Sequence, residues 1–363
     1  MTHLTHHSPG PARSHRRKIS TVFGLSAVVA LVLSGCSAAD QADNNGGDNG
    51  DENQTVTMMT HDSFSVSEEL LAQFEEESGY TVTTTAPGDA GAVVNQLILQ
   101  QDSPTVDGFF GVENYSAQTL LDENFLQDYS GQLPESAQNL AVDGSDALVP
   151  IDHGQVCINA DTEWFDDNDL EVPETLDDLT DENYKDLLVT SDPNDSSPGL
   201  AFLVATRTEF GDDAEQYWED LFDNGVKVAG GWSDAYYADF SGSEGEGPYP
   251  LVVSYSSSPA AEEGRTTSID GTCIQQIEYA GVLEDAENPE GAQAFIDFML
   301  SEEFQADIPE QMFMYPVDDS IELPDEWSEY ASLTEDPIEP DLQEVADQRE
   351  DWLNSWTETY EAQ

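Results

Sequence analysis

An α/β fold in two domains is what this sequence predicts, and two observations carry it. From Val56 to Val112, β-branched and apolar runs alternate with segments of helical periodicity in the order strand, helix, strand, helix, strand. That alternation is the mark of a parallel sheet. From Thr55 onward the chain runs for about 310 residues, more than one hydrophobic core organises.

Val56 to Met59 is the first strand. The spacing then predicts a helix from about Ser67 to Ser78, capped by Ser67 and stopped by Gly79, with Leu70, Leu71 and Phe74 on one face. Tyr80 to Thr85 is a β-branched strand. Ala90 to Gln100 is a helix with Val93, Val94, Leu97 and Ile98 inward, and Asp107 to Val112 is the third strand. Ligands of such sheets sit at the carboxyl ends of the strands. Asp62, Asp89 and Glu113, each just past a strand, are therefore expected to converge on one edge.

Leu148 to Asp152, continued by Ile158, reads as a first crossing into the second domain. Pro173 to Leu188 carries a helical segment. Ser196-Ser197-Pro198-Gly199 opens a helix over Leu200 to Phe210, and its start is either a plain cap or an anion site. Ala214 to Phe222 is a helix, and Leu251 to Val253 a buried strand. Gly271 to Leu283 is the return crossing. Glu290 to Leu300 is an amphipathic helix that Phe304 to Ile308 extends, and Met314 to Val317 crosses again. Asp341 to Tyr360 closes the chain as a helix carrying Leu342, Val345, Trp352 and Trp356.

At the amino end, Arg13, Arg16, Arg17 and Lys18 precede an apolar run from about Val22 to Leu33. The run is too short for a permanent span and reads as a signal-peptide core. It ends Leu33-Ser34-Gly35-Cys36, which resembles a lipobox, so residues 1–36 read as a lipoprotein signal peptide with Cys36 the lipidated residue. Residues 37–54, rich in Asp, Asn and Gly, read as a disordered acidic tether.

The 76 Asp and Glu against nine Lys and Arg give a net charge of −67. Past residue 36 only Lys185, Arg207, Lys227, Arg265 and Arg349 are basic. Nucleic acid is excluded as a partner. The acid is spread over every segment, the pattern of a salt-adapted exported protein whose self-repulsion is screened at high ionic strength.

Gly230-Gly231-Trp232-Ser233-Asp234-Ala235-Tyr236 places a Trp and a carboxylate after a Gly-Gly turn, and Ser254-Tyr255-Ser256-Ser257-Ser258-Pro259-Ala260 echoes it. Ring faces beside a carboxylate suit a flat cation; the alternative is that Trp232 and Tyr255 are core aromatics. No G-x-S-x-G, H-E-x-x-H, paired C-x-x-C, EF-hand loop, G-x-G-x-x-G or P-loop is present. Neither catalysis, nor a metal, nor a cofactor is expected. His61 and His153 remain after processing, and His61 beside Asp62-Ser63 and Asp152-His153 are the only weak hints of a hydrolase. Cys157 and Cys273 either form a disulfide, which requires adjoining strands, or are two buried thiols.

Thr60-His61-Asp62-Ser63-Phe64, Asp192-Pro193, Ser197-Pro198-Gly199-Leu200, the Trp232 and Tyr255 stretches, Ile308-Pro309 and Met314-Tyr315-Pro316-Val317 occur in this order in another group. They stand at similar separation in the thiamine-binding subunits of ABC importers, which this chain resembles from about Thr55 to Trp356. The resemblance implies a two-lobed type II periplasmic-binding-protein fold, each lobe a mixed sheet flanked by helices, with hinge strands between. Residues 55–150 and 272–314 would form lobe 1, and 151–271 and 315–363 lobe 2.

On the same grounds Trp232, Tyr255 and Phe313 supply ring faces and Asp62 and Asp89 meet the cation. Ser196 and Ser197 meet the hydroxyethyl end or a phosphate, and Ser63, Glu113, Asp152, Asp234 and Tyr236 complete the ligand-binding set. Cys157 and Cys273 fall near the hinge, which implies a bond between them. The chain departs from the family at Ala261, where a stacking Tyr is usual, and at His61 and His153, which are typically Tyr. The implied protein is a monomer, lipid-anchored outside the cell membrane, that hands thiamine or its phosphate ester to an ABC permease and its ATPase. The alternatives are a polyamine or ferric-iron binder of the same fold, an extracellular hydrolase, or a structural surface lipoprotein. Tyr236-Tyr237 does not make an iron pair, because adjacent side chains diverge.

Overall fold

A computed structural model describes residues 54–244 and 247–363. The expected signal peptide, Cys36 and all of the tether but Gln54 lie outside the described residues.

The first half alternates as the sequence predicts: β1 (Thr55–Met59), α1 (Glu68–Ser78), β2 (Thr81–Thr85), α2 (Ala90–Leu99) and β3 (Gly108–Glu113). Ser67 stands at the N-cap of α1 and Gly79 ends it at φ 77°, a left-handed turn that glycine makes without strain. Only Phe74 of its apolar face is fully buried. Asp89 caps α2 by accepting from Ala90 N at 2.7 Å. Then come α3 (Ala117–Asp122), β4 (Leu126–Gln127) and the long β5 (Val149–Asp161).

The second half holds α4 (Thr162–Asp167), β6 (Leu188–Ser191), α5 (Ser197–Phe210), α6 (Ala214–Asp223), β7 (Lys227–Ala229), β8 (Leu251–Tyr255), α7 (Ser258–Ala261) and β9 (Thr266–Ser268). The chain returns through β10 (Ile274–Leu283), α8 (Pro289–Met299), α9 (Glu302–Met312) and β11 (Tyr315–Pro316), and ends with α10 (Asp325–Tyr330) and α11 (Leu342–Glu361).

The sheet order is β2-β1-β3-β10-β5-β8-β6-β7, with β4 on β10 and β9 and β11 on β5. β1 pairs in parallel with β2 and β3, and β6 with β7 and β8. β10 is antiparallel to both β3 and β5. The two long strands divide between two cores. Val149 and Ile151 of β5, with Ala280 and Val282 of β10, pack with Val56, Phe295 and Phe304. Val156, Ile158 and Ala160 of β5, with Ile274, pack with α5, α6 and Trp356.

Two elements differ from expectation, and one apolar residue of the last helix is exposed. Pro173 to Leu188 forms only two 3-10 turns, Asp177–Thr180 and Glu182–Tyr184, before β6. The segment is acidic, and Asp178 turns back to accept from Glu174 N and Thr175 N, which competes with helix. Phe304 to Ile308 does not extend α8; it lies in a separate helix, because the Ser301 hydroxyl caps α9 by accepting from Phe304 N. Leu342 is exposed, at the first turn of α11, where nothing packs over it.

Cys157 and Cys273 are bonded, clipping β5 to the turn just before β10 across a sequence separation of 116.

Candidate functional site

The two halves meet along a crevice at the carboxyl ends of β1, β6 and β7. Several contacts join them, three of them at the rim of the crevice. Gly91 N donates to Asp195 O at 2.9 Å, Trp232 N donates to Asp89 Oδ2 at 3.1 Å, and the Ser63 and Ser233 hydroxyls lie 3.5 Å apart. Gly91 is required at that approach: a Cβ there would lie 2.4 Å from Asn194 O.

Trp232 is the centre of the crevice. After β7 the Gly230-Gly231 turn releases the chain into a π-helical turn over Asp234–Asp239. Trp232 Nε1 donates to Ser254 Oγ at 2.9 Å. Its ring stacks on Tyr236 at 5.2 Å and meets Tyr255 edge-on at 5.9 Å. The residue is thus held by core aromatics while part of its surface stays open, so neither of the two readings of its role excluded the other.

Three hollows adjoin around it. A cavity of about 30 Å³, room for about one water molecule, is lined by His61, Ser63, Asp89, Ser197, Trp232, Tyr255, Glu278, Met312 and Met314. A hollow of about 170 Å³ lies against Trp232, Tyr236, Tyr237, Glu244, Glu262 and Phe313. A third, of about 350 Å³, includes Asp62, Asp89, Asp195 and Asp234. Trp232 belongs to the first two and Asp89 to the first and third. Of the predicted residues, Asp62, Ser63, Asp89, Ser197, Trp232, Asp234, Tyr236, Tyr255 and Phe313 line these hollows.

Three predicted residues do not. Ser196 is buried and accepts from the Ser191 hydroxyl at 2.8 Å. Glu113 is the last residue of β3 rather than beyond it, buried, with the Ser116 hydroxyl donating to it. Asp152 lies inside β5, fully buried, and is not among the residues that line the cavity.

What sequence reasoning missed is Glu278. It sits mid-way along β10, opposite Asp152 on one side and Glu113 on the other. All three carboxyls are buried, in one row across adjacent strands. Gln276 Nε2 donates to Glu278 Oε1 at 3.2 Å and to the Tyr255 hydroxyl at 3.1 Å. His61 Nε2 lies 3.4 Å from Glu278 Oε2. The available signal was an acidic residue inside Ile274-Gln275-Gln276-Ile277-Glu278-Tyr279, a run otherwise suited to a buried strand.

Burial opposes charge on His61, yet Glu278, then Asp89 and Asp62, hold its pKa above the ordinary histidine value. The Asp152 carboxyl is pushed well above the usual range, first by burial and then by Glu278. Burial likewise raises Glu113, against the pull of Arg349. The arrangement is electrostatically negative and partly desolvated, with ring faces beside it, which favours an organic cation.

The expected departures fall here too. Ala261 lines the hollow of Phe313, Tyr236 and Tyr237, so the ring absent at 261 has aromatic neighbours around it. Neither histidine is paired with a serine: His61 faces Glu278, and His153 Nδ1 has no hydrogen-bond partner, burial lowering its pKa to about 4. Among the described residues no group of three or more His, Cys, Asp or Glu is placed to hold a metal ion. A larger groove of about 740 Å³, near Thr162 and Asp270, contains none of the predicted residues.

A mixed α/β sheet whose long antiparallel strands run from one core into another, with a crevice at the strand ends, defines a type II periplasmic binding protein. The profile of the bacterial extracellular solute-binding proteins matches residues 103–334, and the chain belongs to that family. It is similar to the thiamine-binding periplasmic protein of Escherichia coli K12, 30% identical over 318 residues, which span 83% of this chain and 92% of the relative. Among solved structures, a periplasmic thiamin binding protein superposes with a TM-score of 0.73 at 26% identity, over 84% of this chain and 96% of the other. The ferric binding protein from Campylobacter jejuni superposes at 0.67 and 16% identity, over 84% and 99%, a likeness of fold alone.

Proposed function

We propose that this protein is the extracytoplasmic substrate-binding subunit of an ABC importer and that it captures thiamine or a thiamine phosphate ester. The observation that carries the reading is the crevice itself: Trp232 and Tyr255 present rings beside Asp89 and Glu278, a setting for a flat cation. Relatives with thiamine in their names share this chain over most of its length.

Residues 55–150 with 272–314 and residues 151–271 with 315–363 act as the two lobes, and β5 and β10 as the hinge. The 30 Å³ cavity is far smaller than such a ligand, so capture proceeds by parting and re-closing the lobes. The Ser197 end of the crevice, at the start of α5, receives the hydroxyethyl or phosphate end. The protein is a monomer without catalytic activity, anchored through lipid at Cys36, and it delivers its ligand to the permease and ATPase subunits.

The test is titration calorimetry of the full chain in high salt with thiamine, thiamine monophosphate, spermidine and ferric citrate. Thiamine or its ester binding at micromolar concentration or tighter is the expected result. Response to spermidine or iron alone keeps the fold and removes the vitamin.

A further inference from the structure

We propose that Glu278, with Asp152 behind it, selects positive charge in this crevice, the two facing carboxyls holding one proton that a bound organic cation displaces. This rests on the reading of the crevice as a cation site. It goes beyond that reading by assigning a residue, a partner for it and a chemical exchange.

Glu278 and Asp152 are directly opposed across β10 and β5, 3% and 0% exposed. Directly opposed side chains on adjacent strands stand close enough to interact. Neither oxygen of Asp152 has a hydrogen-bond donor. An ionised Asp152 without a donor does not persist beside an ionised Glu278 in a buried setting, whereas one proton shared with Glu278 supplies the donor that Asp152 lacks. The raised pKa of Asp152, caused by burial and then by Glu278, agrees. Glu278 reaches the cavity and Asp152 does not, so one carboxyl meets the ligand while the other stores the proton.

Other charged groups face the pair. From the β1 side comes His61, within 3.4 Å of Glu278, and Asp62 acts on His61. Asp89 faces it from the start of α2, and Glu113 from β3. Arg349 of α11 acts on Glu113, and its Nε has no hydrogen-bond partner. His61 and Glu113, the latter raised by burial and opposite Glu278 on β3, are competing sources of a proton.

The exchange balances. A cation entering beside Glu278 stabilises both carboxylates, the shared proton passes to solvent, and the charge of the cluster is unchanged. Affinity therefore rises with pH while the pair is still protonated and levels off once it is not. A neutral ligand of the same shape lacks the charge to displace the proton.

The experiment is calorimetry of the full chain with thiamine chloride in two buffers of different ionisation enthalpy, from about pH 5 to about pH 9. The difference in heat counts protons released. The wild type is expected to release up to about one proton per thiamine. D152N, whose side chain is outside the cavity, is expected to bind thiamine and release none, and E278Q to bind at least about tenfold more weakly with none released. H61Q and E113Q are each expected to keep the release; release lost in E113Q but kept in D152N would overturn the assignment to Asp152. Binding with no proton released in the wild type, or release lost in H61Q but kept in D152N, overturns the inference and leaves the thiamine reading standing. Absence of thiamine binding in both buffers removes that reading and the inference with it.

Discussion

Trp232 N and the Asp89 carboxylate are joined at 3.1 Å across the crevice, while a second Asp89 oxygen accepts from Ala90 N at the start of α2. One carboxylate therefore caps a helix in one half of the protein and holds the aromatic centre of the other. The same pair lines the small cavity at the crevice, so on the proposed reading closure and recognition share their atoms.

Trp232→Ala removes the ring that stacks on Tyr236 and walls two of the hollows. Thiamine affinity should fall by about tenfold or more, each tenfold being about 1.4 kcal/mol. Calorimetry reads this directly. An affinity equal to the wild type would place the ligand elsewhere.

Gly91→Ala should impair closure without harming helix α2, since alanine favours helix more than glycine does. The added Cβ would sit 2.4 Å from Asn194 O, in the other half. If the closed form becomes scarce, apparent affinity falls in proportion. A weaker thiamine isotherm with a larger radius in small-angle scattering is expected. Unchanged values of both would mean that this contact does not govern closure.

Stability should depend on pH through Asp152. Its carboxyl titrates well above the usual range because of burial and Glu278. The folded chain keeps a proton that the unfolded chain has lost, so stability falls as pH rises from the ordinary carboxylate range to the raised value. His61, also raised against the cost of its burial, acts in the same direction above the ordinary histidine value. His153, lowered to about 4 by burial, acts oppositely and adds stability as pH climbs from about 4 to that value. Asp152→Asn should flatten the fall and raise Tm at neutral pH. Thermal melts across pH would show an equally steep fall in the variant if Asp152 is not responsible.

Reducing the Cys157–Cys273 bond should lower stability by about 2–4 kcal/mol, because it closes a long loop in the unfolded chain. Denaturant titration with and without reductant measures it. Coincident curves would leave the bond without a stabilising role.

Much of this was legible in the chain, for reasons of period and order. The β1 to β3 alternation, the Ser67 and Gly79 boundaries of α1 and the burial of Leu251 to Val253 follow from local pattern. Trp232 and Tyr255 were legible because aromatics beside turns stand out. Glu278 was not, since in a chain with 76 acidic residues its place within a strand run is too weak a signal to stand out; its meaning comes from register, which sets it between Glu113 and Asp152. The burial of Ser196, Glu113 and Asp152 is not legible, because sequence places them near the crevice but does not say which way a side chain points.

The most direct measurement is a crystal structure of the chain with thiamine. Thiamine between the halves, with a ring against Trp232 and its positive charge toward Asp89 and Glu278, is the predicted result. Thiamine bound outside the crevice, as in the groove near Thr162 and Asp270, would contradict the account.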